Sequence, residues 1–357
     1  MALPQNRKLL AGNVFTYGLT HALIDGACAA QIAALYGTKH FDVSYLAIVV
    51  VVYNLLAFAI QPLTGILVDW LKAPQRIAAL GCLLVAGGFL FMSNPVLVVC
   101  LAGVGNALFH VGGGVVSLNL IPGKASVPGL FVAPGDIGLL CGGLIGASGQ
   151  GLWCLAIGLL VIAVVILKID SPSIAEKPVP QSDIHGVFPI LLLILASVAI
   201  RGFVGLSLSY PWKNDLLLVY VLAVFLGKAF GGILGDRFGW NLVAVSGLLL
   251  SAVFLSLGKD VQILGVVGIF AFNLTMPVTL AVVANTLPQW KGFSFGLTAM
   301  ALIAGALVAF SPVKGLFYGA NWTIPVVVLV SAGMLFFGLR LYFKREEYRL
   351  GNKTEPV

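Results

Sequence analysis

The sequence predicts an all-α polytopic membrane protein with twelve transmembrane helices, arranged as two pseudo-symmetric six-helix bundles. Three observations lead to this fold class: an extreme apolar composition, a regular series of apolar runs and an internal repeat. Of the 357 residues, 60% are hydrophobic and 9% carry a full charge, whereas soluble domains have about 25% charged residues. A chain of this composition cannot cover its surface with solvated side chains, so we expect it in a lipid bilayer.

Apolar runs bounded by charges, prolines and turn-forming residues define the spans. A helix needs about 20 mostly apolar residues to cross the hydrocarbon core. The predicted spans are 12–37, 42–68, 74–93, 95–121, 127–149, 152–168, 187–209, 214–235, 240–257, 261–287, 292–310 and 322–343. We interpret the first run as an uncleaved span and not as a signal peptide, because similar runs recur along the whole chain.

One polar linker divides the spans into two sets of six. It contains Asp170, Glu176 and Lys177 together with three prolines. The predicted domains are an N-terminal six-helix bundle over 1–168, a cytoplasmic linker over 169–186, a C-terminal six-helix bundle over 187–343 and a cytoplasmic basic tail over 344–357. The other connections are too short for a sizeable soluble domain.

Positive charges sort to one side of the predicted membrane. Fourteen lie on the side of the amino terminus: Arg7, Lys8, Lys72, Arg76, Lys124, Lys168, Lys177, Arg237, Lys291, Arg340, Lys344, Arg345, Arg349 and Lys353. The other side carries four: Lys39, Lys213, Lys259 and Lys314. This bias is typical of cytoplasmic loops, so both termini are expected in the cytoplasm, at a bacterial inner membrane. It also explains the net charge of +7 without a nucleic-acid partner.

The two halves of the chain are related by an offset of 167 residues. Residues 53–72 match 220–239 at seven of twenty positions, and these matches include Gly65 with Gly232 and Asp69 with Asp236. The same offset pairs Asn106 with Asn273, Lys124 with Lys291, Gly129 with Gly296 and Gly138 with Gly305. Parallel halves of this kind enclose a cavity at their interface and can rock about it.

Two loops give the chain its resemblance to the major facilitator superfamily. They are Gly65-Ile-Leu-Val-Asp69-Trp-Leu-Lys72 with Arg76, and Gly231-Gly-Ile-Leu-Gly-Asp236-Arg237-Phe-Gly239. Each follows the second span of its half, where that family has a glycine–aspartate–basic loop, although Trp70 stands where a basic residue is usual. The resemblance implies a gate formed by Gly65, Asp69, Arg76, Gly232, Asp236 and Arg237.

The chemistry of these loops agrees with a gate. A carboxylate at a helix end can accept hydrogen bonds from helix N-terminal amides and can pair with Arg76 or Arg237. Pairs that form only when the cytoplasmic side is closed would favour one of two states. A simple helix cap beside a cytoplasmic arginine is the alternative interpretation.

A narrower resemblance is to the fosmidomycin-resistance branch of bacterial drug exporters. It lies in His21-Ala-Leu-Ile-Asp25, in Gly105-Asn-Ala-Leu-Phe-His110 and in Pro134-Gly-Asp136-Ile-Gly138. The third motif differs from that branch at Asp136, where an amide is common, and at Gly143, where a proline is common. This resemblance implies export of drug-like or polar compounds.

Ionisable residues deep in a span are costly and are therefore candidates for function. His21 and Asp25 are four residues apart and share one face of the first span, and Asp25 lies near its middle. Arg201 has a similar depth in the seventh span. Spans 1 and 7 face one another across the cavity in the major facilitator superfamily, so the resemblance implies that Arg201 can pair with Asp25. The predicted proton-coupling residues are Asp25, His21 and Asp136. A fixed structural ion pair between Asp25 and Arg201 is the alternative.

Further polar groups are expected to contact a solute. They are Arg201, Asn106, His110, Asn273 and Lys228. Alternatively, His110 bonds a backbone carbonyl and Lys228 extends its amine towards the membrane surface. No metal ligands are assigned, although the two histidines and Asp25 leave a divalent-metal site open. The five cysteines lie in apolar runs and are interpreted as packing residues.

These features together favour a secondary active transporter that moves a small solute by alternating access, coupled to protons. The sequence contains no phosphate-binding Gly-Lys-Ser/Thr loop, which argues against an ATP-driven pump. No cofactor and no enzymatic activity are expected; the partners are a small-molecule solute, protons and lipid, and the chain is expected to be a monomer. A non-transporting receptor or partner-binding scaffold with the same fold is the alternative, and an intramembrane enzyme using His21 and Asp25 is a third.

Overall fold

The computed structural model describes residues 4–37, 42–172, 184–311 and 323–351, and it is helical throughout. The N-terminal half contains α1 (Pro4–Gly37), α2 (Val43–Asn54), α3 (Gln61–Leu71), α4 (Pro74–Gly88), α5 (Pro95–Leu120), α6 (Ser126–Val132), α7 (Pro134–Ser148) and α8 (Leu152–Lys168). The C-terminal half contains α9 (Ile184–Ser207), α10 (Leu217–Phe238), α11 (Trp240–Leu257), α12 (Gln262–Asn273), α13 (Thr275–Thr286), α14 (Lys291–Val308) and α15 (Thr323–Gly351).

Twelve helical spans confirm the predicted fold class. Among the described residues, eleven spans are long and apolar enough to cross a membrane, and the remaining one, α8, is an apolar helix of 17 residues. The predicted boundaries differ most at the chain ends, since α1 begins at Pro4 and α15 continues through residue 344, the predicted start of the tail, to Gly351. Residues 173–183 of the predicted linker, residues 352–357 of the tail, and Lys39 and Lys314 lie outside the described residues.

Three spans consist of two helical segments each. The second span changes from α2 to α3 through a π-helical turn at Leu55–Ala59, the fifth breaks at Ala133, and the tenth breaks at Leu274. Each break comes just before a proline, Pro62, Pro134 or Pro277. Proline has no backbone N–H to donate to the preceding turn, so it interrupts the helical hydrogen bonds there.

Each half has its own apolar core. One cluster of buried residues is formed mainly by α1, α4, α5 and α8, and a second mainly by α9, α11, α13 and α15. Large apolar side chains such as Phe15, Leu63 and Ile263 are more than 60% exposed. In a chain of this composition such side chains are expected to face lipid.

Close packing of α1 against α7 depends on a row of glycines. Gly138, Gly142 and Gly146 recur every four residues on one face of α7. A Cβ added at Gly142 would overlap the carbonyl of Gly26, and one at Gly146 would overlap that of Ala30. Small residues at such positions allow helix backbones to approach, which is how membrane helices gain packing energy.

We predict that Gly142→Ala lowers stability and that the neighbouring Gly143→Ala does not. A Cβ at Gly143 meets no atom within 4 Å, whereas overpacking at a filled site costs about 1–3 kcal/mol. Thermal unfolding in detergent should give a lower Tm for Gly142→Ala, and an unchanged or slightly higher Tm for Gly143→Ala. Equal Tm values for the two variants would contradict the close α1–α7 contact.

Candidate functional site

The first feature of the site is a pair of aspartates that join the two halves. Asp69, near the end of α3, accepts hydrogen bonds from the backbone amides of Gly292 (2.8 Å) and Phe293 (2.9 Å) at the start of α14. Asp236, near the end of α10, accepts from the amides of Ala125 (3.0 Å) and Ser126 (2.9 Å) at the start of α6. Each carboxylate therefore caps a helix of the opposite half, where the helix dipole favours a negative charge.

The two contacts are copies of each other under the sequence repeat. Asp69 and Asp236 are 167 residues apart, as are Ala125 and Gly292. We call these two contacts, Asp69 with Gly292–Phe293 and Asp236 with Ala125–Ser126, the reciprocal caps. The predicted repeat thus has a structural counterpart in an interface that uses the same surface of both halves.

Glycines let the backbones approach beneath the reciprocal caps. A Cβ added at Gly65 would overlap the carbonyl of Gly292, and one added at Gly232 would overlap that of Ala125. These two predicted gate glycines are therefore required for the contact itself. Lys291 adds a further link between the halves, because its Nζ donates to Asn119 Oδ1 (2.6 Å) and to the carbonyl of Leu118 (3.3 Å).

The arginines expected to complete the gate do not pair with the aspartates. Across the described part of the chain, no ion pair joins Asp69 to Arg76 or Asp236 to Arg237. Arg237 lies over the ring of Phe238, 5.3 Å from its centroid, while Trp240 Nε1 donates to Asp236 (2.9 Å). In this state both carboxylates accept hydrogen bonds from backbone amides and form no ion pair with the arginines among the described residues.

We predict that Asp236→Asn speeds amide hydrogen exchange at Ala125–Ser126 by about tenfold or more, because a hydrogen bond to a charged acceptor is worth about 1.5–3 kcal/mol. Exchange at Gly292–Phe293 should also rise, because the halves would separate more often. Mass spectrometry of the protein in lipid nanodiscs would measure both segments.

Asp42→Asn is the matched control. Asp42 accepts from the amides of Ser44 (2.9 Å) and Tyr45 (3.3 Å) at the start of its own helix, α2. Its replacement should affect exchange only near α2. If Asp236→Asn likewise acts only on its direct partners, Asp236 is a local cap and not part of a gate.

The second feature is a buried triad in the N-terminal half, formed by His21 and Asp25 of α1 and His110 of α5. His21 Nε2 lies 3.2 Å from Asp25 Oδ2 and 2.9 Å from His110 Nε2, and His110 Nε2 lies 3.6 Å from Asp25 Oδ1. Asn106 Nδ2 donates to Asp25 Oδ1 at 3.1 Å. The four-residue spacings in both helices place each pair on one face, as the sequence predicted.

The remaining hydrogen bonds determine where protons sit in the triad. His110 Nδ1 lies 2.9 Å from the carbonyl of Asn106, so this nitrogen carries a hydrogen. His21 Nδ1 is buried without a hydrogen-bond partner in the described structure. A hydrogen on that atom would be an unsatisfied donor, so neutral His21 carries its hydrogen on Nε2, between His110 and Asp25.

The triad also has the composition of a divalent-metal site. Its three ligand atoms lie within 4.8 Å of one another, and all three residues are buried. The bond from His110 Nδ1 to a backbone carbonyl is a common support for a metal-ligating histidine. Two imidazoles and one carboxylate could therefore hold an ion such as Zn²⁺.

Arg201, in the C-terminal half, does not pair with Asp25. Its Nη1 donates to Thr275 Oγ1 and its Nη2 to Thr279 Oγ1 (2.9 Å), both on α13. None of the ion pairs among the described residues includes Arg201. The expected pair is replaced by two separate centres, with a carboxylate beside histidines in one half and an arginine beside threonines in the other.

Asp136 and Lys228 form an ion pair that was not expected from the sequence. Lys228 Nζ of α10 lies 2.7 Å and 2.8 Å from the two oxygens of Asp136, in the first turn of α7. The pair crosses between the halves, and Asp136 borders a cavity of about 440 Å³ whose polar lining groups also include Lys213 and Tyr220. Lys228 therefore neither extends to the membrane surface nor is free for a solute in this state.

Sequence reasoning also missed the threonines beside Arg201. Both occupy the turn that follows the break at Leu274, and Pro277 was a signal for that break. Asn273, by contrast, donates within its own helix to the carbonyl of Ile269 at 2.8 Å. One of its two amide hydrogens is therefore used within α12, and its solute contact stays a prediction.

We predict that Asp136→Lys and Lys228→Asp each lower Tm and that the double exchange recovers part of the loss. Each single replacement puts two like charges into a half-buried contact, which should cost at least the roughly 1 kcal/mol that an exposed pair contributes, and the exchanged pair restores opposite charges there. Thermal unfolding of the four proteins forms a double-mutant cycle. Additive losses, with no recovery in the double variant, would show that the two residues do not interact.

The fold matches solved transporters of the major facilitator superfamily. A variant of the Escherichia coli fucose:proton symporter FucP aligns with a TM-score of 0.64 at 15% identity, covering 92% of this chain and 99% of the other. FucP in the outward conformation gives 0.63 at 14% identity, with the same two coverages. The human organic anion transporter MFSD10 (TETRAN) gives 0.65 at 14% identity, covering 95% and 100%.

No family model and no curated protein matches the sequence. The structural matches show that the chain has the fold of these transporters. The resemblance to one branch of the superfamily stays a prediction.

Proposed function

We propose that this protein is a secondary active transporter that moves a small solute by alternating access and couples the movement to protons. The observation that carries the proposal is the buried triad of His21, Asp25 and His110. Ionisable groups at this depth are costly and commonly mark proton pathways. FucP, one of the proteins of similar fold, is named as a proton symporter.

The triad can hold two states that differ by one proton. With both histidines neutral, the Nε2 hydrogen of His21 faces two acceptors, His110 Nε2 (2.9 Å) and Asp25 Oδ2 (3.2 Å). An added proton on His110 Nε2 would face Asp25 Oδ1 at 3.6 Å, but it would also place two N–H donors 2.9 Å apart. The His21–His110 contact would therefore have to loosen, so uptake of the proton is coupled to a rearrangement of the triad.

The contacts between the halves supply the two-state element that alternating access needs. The reciprocal caps lie on the side predicted to be cytoplasmic, and they hold that side closed in the present state. Opening it would expose four backbone amides and two carboxylates to water. Asp136 and Lys228 would also separate, which offers a second carboxylate for proton binding.

We further propose export of drug-like or polar compounds by a monomer in a bacterial inner membrane, with both termini in the cytoplasm. Solute would contact Arg201, Asn106 and His110 between the halves, and also Lys228 and Asn273 in states where their present bonds open. The linker and the tail would lie on the cytoplasmic side. The proposed function requires no enzymatic step and no nucleic acid.

We predict that Asp25→Asn abolishes solute-driven proton movement while the protein stays folded. An amide carries no negative charge, so the triad loses the carboxylate that stabilises an added proton on the histidines. The measurement is a pH-sensitive dye in reconstituted liposomes, while a panel of organic compounds is added under an imposed gradient. Solute exchange without a gradient should continue in this variant, because it requires no net proton transfer.

Ser117→Ala is the matched control, because Ser117 is buried on the same helix as His110 and, within the described ranges, donates one hydrogen bond, to the carbonyl of Gly114 (2.7 Å). It should behave as wild type. Proton-coupled transport that persists in Asp25→Asn would overturn the assignment of Asp25. Loss of transport in EDTA, restored by Zn²⁺, would identify the triad as a metal site. Binding of a compound that never crosses the membrane would favour the receptor alternative.

A further inference from the structure

The C-terminal half contains a buried positive charge that the proton mechanism does not use. Arg201 is 6% exposed, and among the described residues it is the one buried lysine or arginine. It lies six residues, about 9 Å, before α9 ends at Ser207. A guanidinium at such a place needs a compensating anion or a dense set of hydrogen bonds.

The bonds that Arg201 makes do not compensate its charge. Thr275 and Thr279 accept through neutral hydroxyls, and those hydroxyls in turn donate to backbone carbonyls of Phe272 (3.0 Å) and Met276 (2.9 Å). No carboxylate lies within 4.0 Å of the guanidinium in the described ranges. The positive charge of Arg201 is therefore held in place but unneutralised.

Part of the guanidinium is also left without a partner. A guanidinium has five N–H donors, and the hydrogen bonds to the two threonines use two of its nitrogens. The third, Nε, is buried and has no hydrogen-bond partner in the described structure. Together with a neighbouring Nη group, an unoccupied Nε–H matches the two oxygens of a carboxylate, phosphonate or phosphate.

We infer that Arg201, oriented by Thr275 and Thr279, binds the anionic group of the transported solute, and that this solute is therefore a small organic anion. The inference rests on the proposed transport function and names its substrate class. In the N-terminal half Asp25 is the one buried carboxylate among the described residues. The two centres would thus bind different ligands: the anion binds at Arg201 and the proton binds at the triad.

A structural role for Arg201 makes the opposite stability prediction, which needs no knowledge of the solute. If Arg201 only ties α9 to α13, Arg201→Gln should lower the Tm of the ligand-free protein. If Arg201 is instead an anion-binding residue, Arg201→Gln removes an uncompensated buried charge. The Tm of the ligand-free protein should then stay unchanged or rise. A fall of several degrees would overturn the inference.

The second measurement is ligand-induced thermal stabilisation of the full chain in detergent at one pH. The probes are sodium salts of benzoate, phenylphosphonate and phenyl phosphate, of short aliphatic carboxylates and phosphonates, and the uncharged amides or esters with the same carbon skeletons. At least one anion should raise the wild-type Tm by about 2 °C or more near saturation. Its uncharged counterpart should not.

Variants complete the test. Arg201→Gln should weaken the apparent affinity for the stabilising anion at least about tenfold, while Arg201→Lys, which keeps the charge, should retain part of it. Arg349→Gln is the control, since Arg349 is an arginine near the end of α15 that pairs with Glu346 at 2.9 Å. Carboxylates and phosphonates that stabilise differently would identify the preferred headgroup.

The outcomes separate the inference from the proposed function. No stabilisation by any anion, or equal stabilisation of wild type and Arg201→Gln, would overturn the inference. Anion binding that depends on Arg201, without any movement across liposomes, would leave the inference standing and remove the transport function. If Arg201→Gln still transports uncharged compounds with protons as wild type does, the transport function would stand and the inference would be overturned.

Discussion

The capping of a helix in one half by an aspartate from the other is the interaction on which this structure depends. Carboxylates at Asp69 and Asp236 need amide donors, and the amides at the starts of α14 and α6 need acceptors, so each half satisfies the other. The contact is close only because Gly65 and Gly232 have no Cβ. It is also reversible, since water can hydrogen-bond the same groups once the halves separate.

Much of this arrangement could be predicted from the sequence, because the physics behind it is periodic or repeated. Apolar runs long enough to cross a bilayer predict the transmembrane helices. The offset of 167 residues predicts that Asp69 and Asp236 make equivalent contacts. The sequence could not tell which groups the aspartates would meet. Arg76 and Arg237 were close along the chain and of the right charge, but the amides at Ala125 and Gly292 were closer in space.

The sequence also could not identify the partners of the buried charges, which is why the predicted Asp25–Arg201 pair was wrong. Depth along a helix placed Asp25 and Arg201 at similar levels, but depth says nothing about rotation about the helix axis or about competitors from other spans. His110 approaches Asp25 from α5, and Lys228 reaches Asp136 from α10. Both partners were recognised as polar residues within spans. Their pairing depended on tertiary packing, which spacing within one helix does not contain.

Keeping the buried charges apart is itself informative about mechanism. A direct Asp25–Arg201 pair would neutralise both groups and leave little reason to bind either a proton or an anion. With the carboxylate beside two histidines and the guanidinium beside two threonines, each half keeps an incomplete centre. A proton completes one centre and an anion completes the other. Each ligand neutralises the charge of the centre that it enters, which lowers the electrostatic cost of moving that centre past the low-dielectric middle of the membrane.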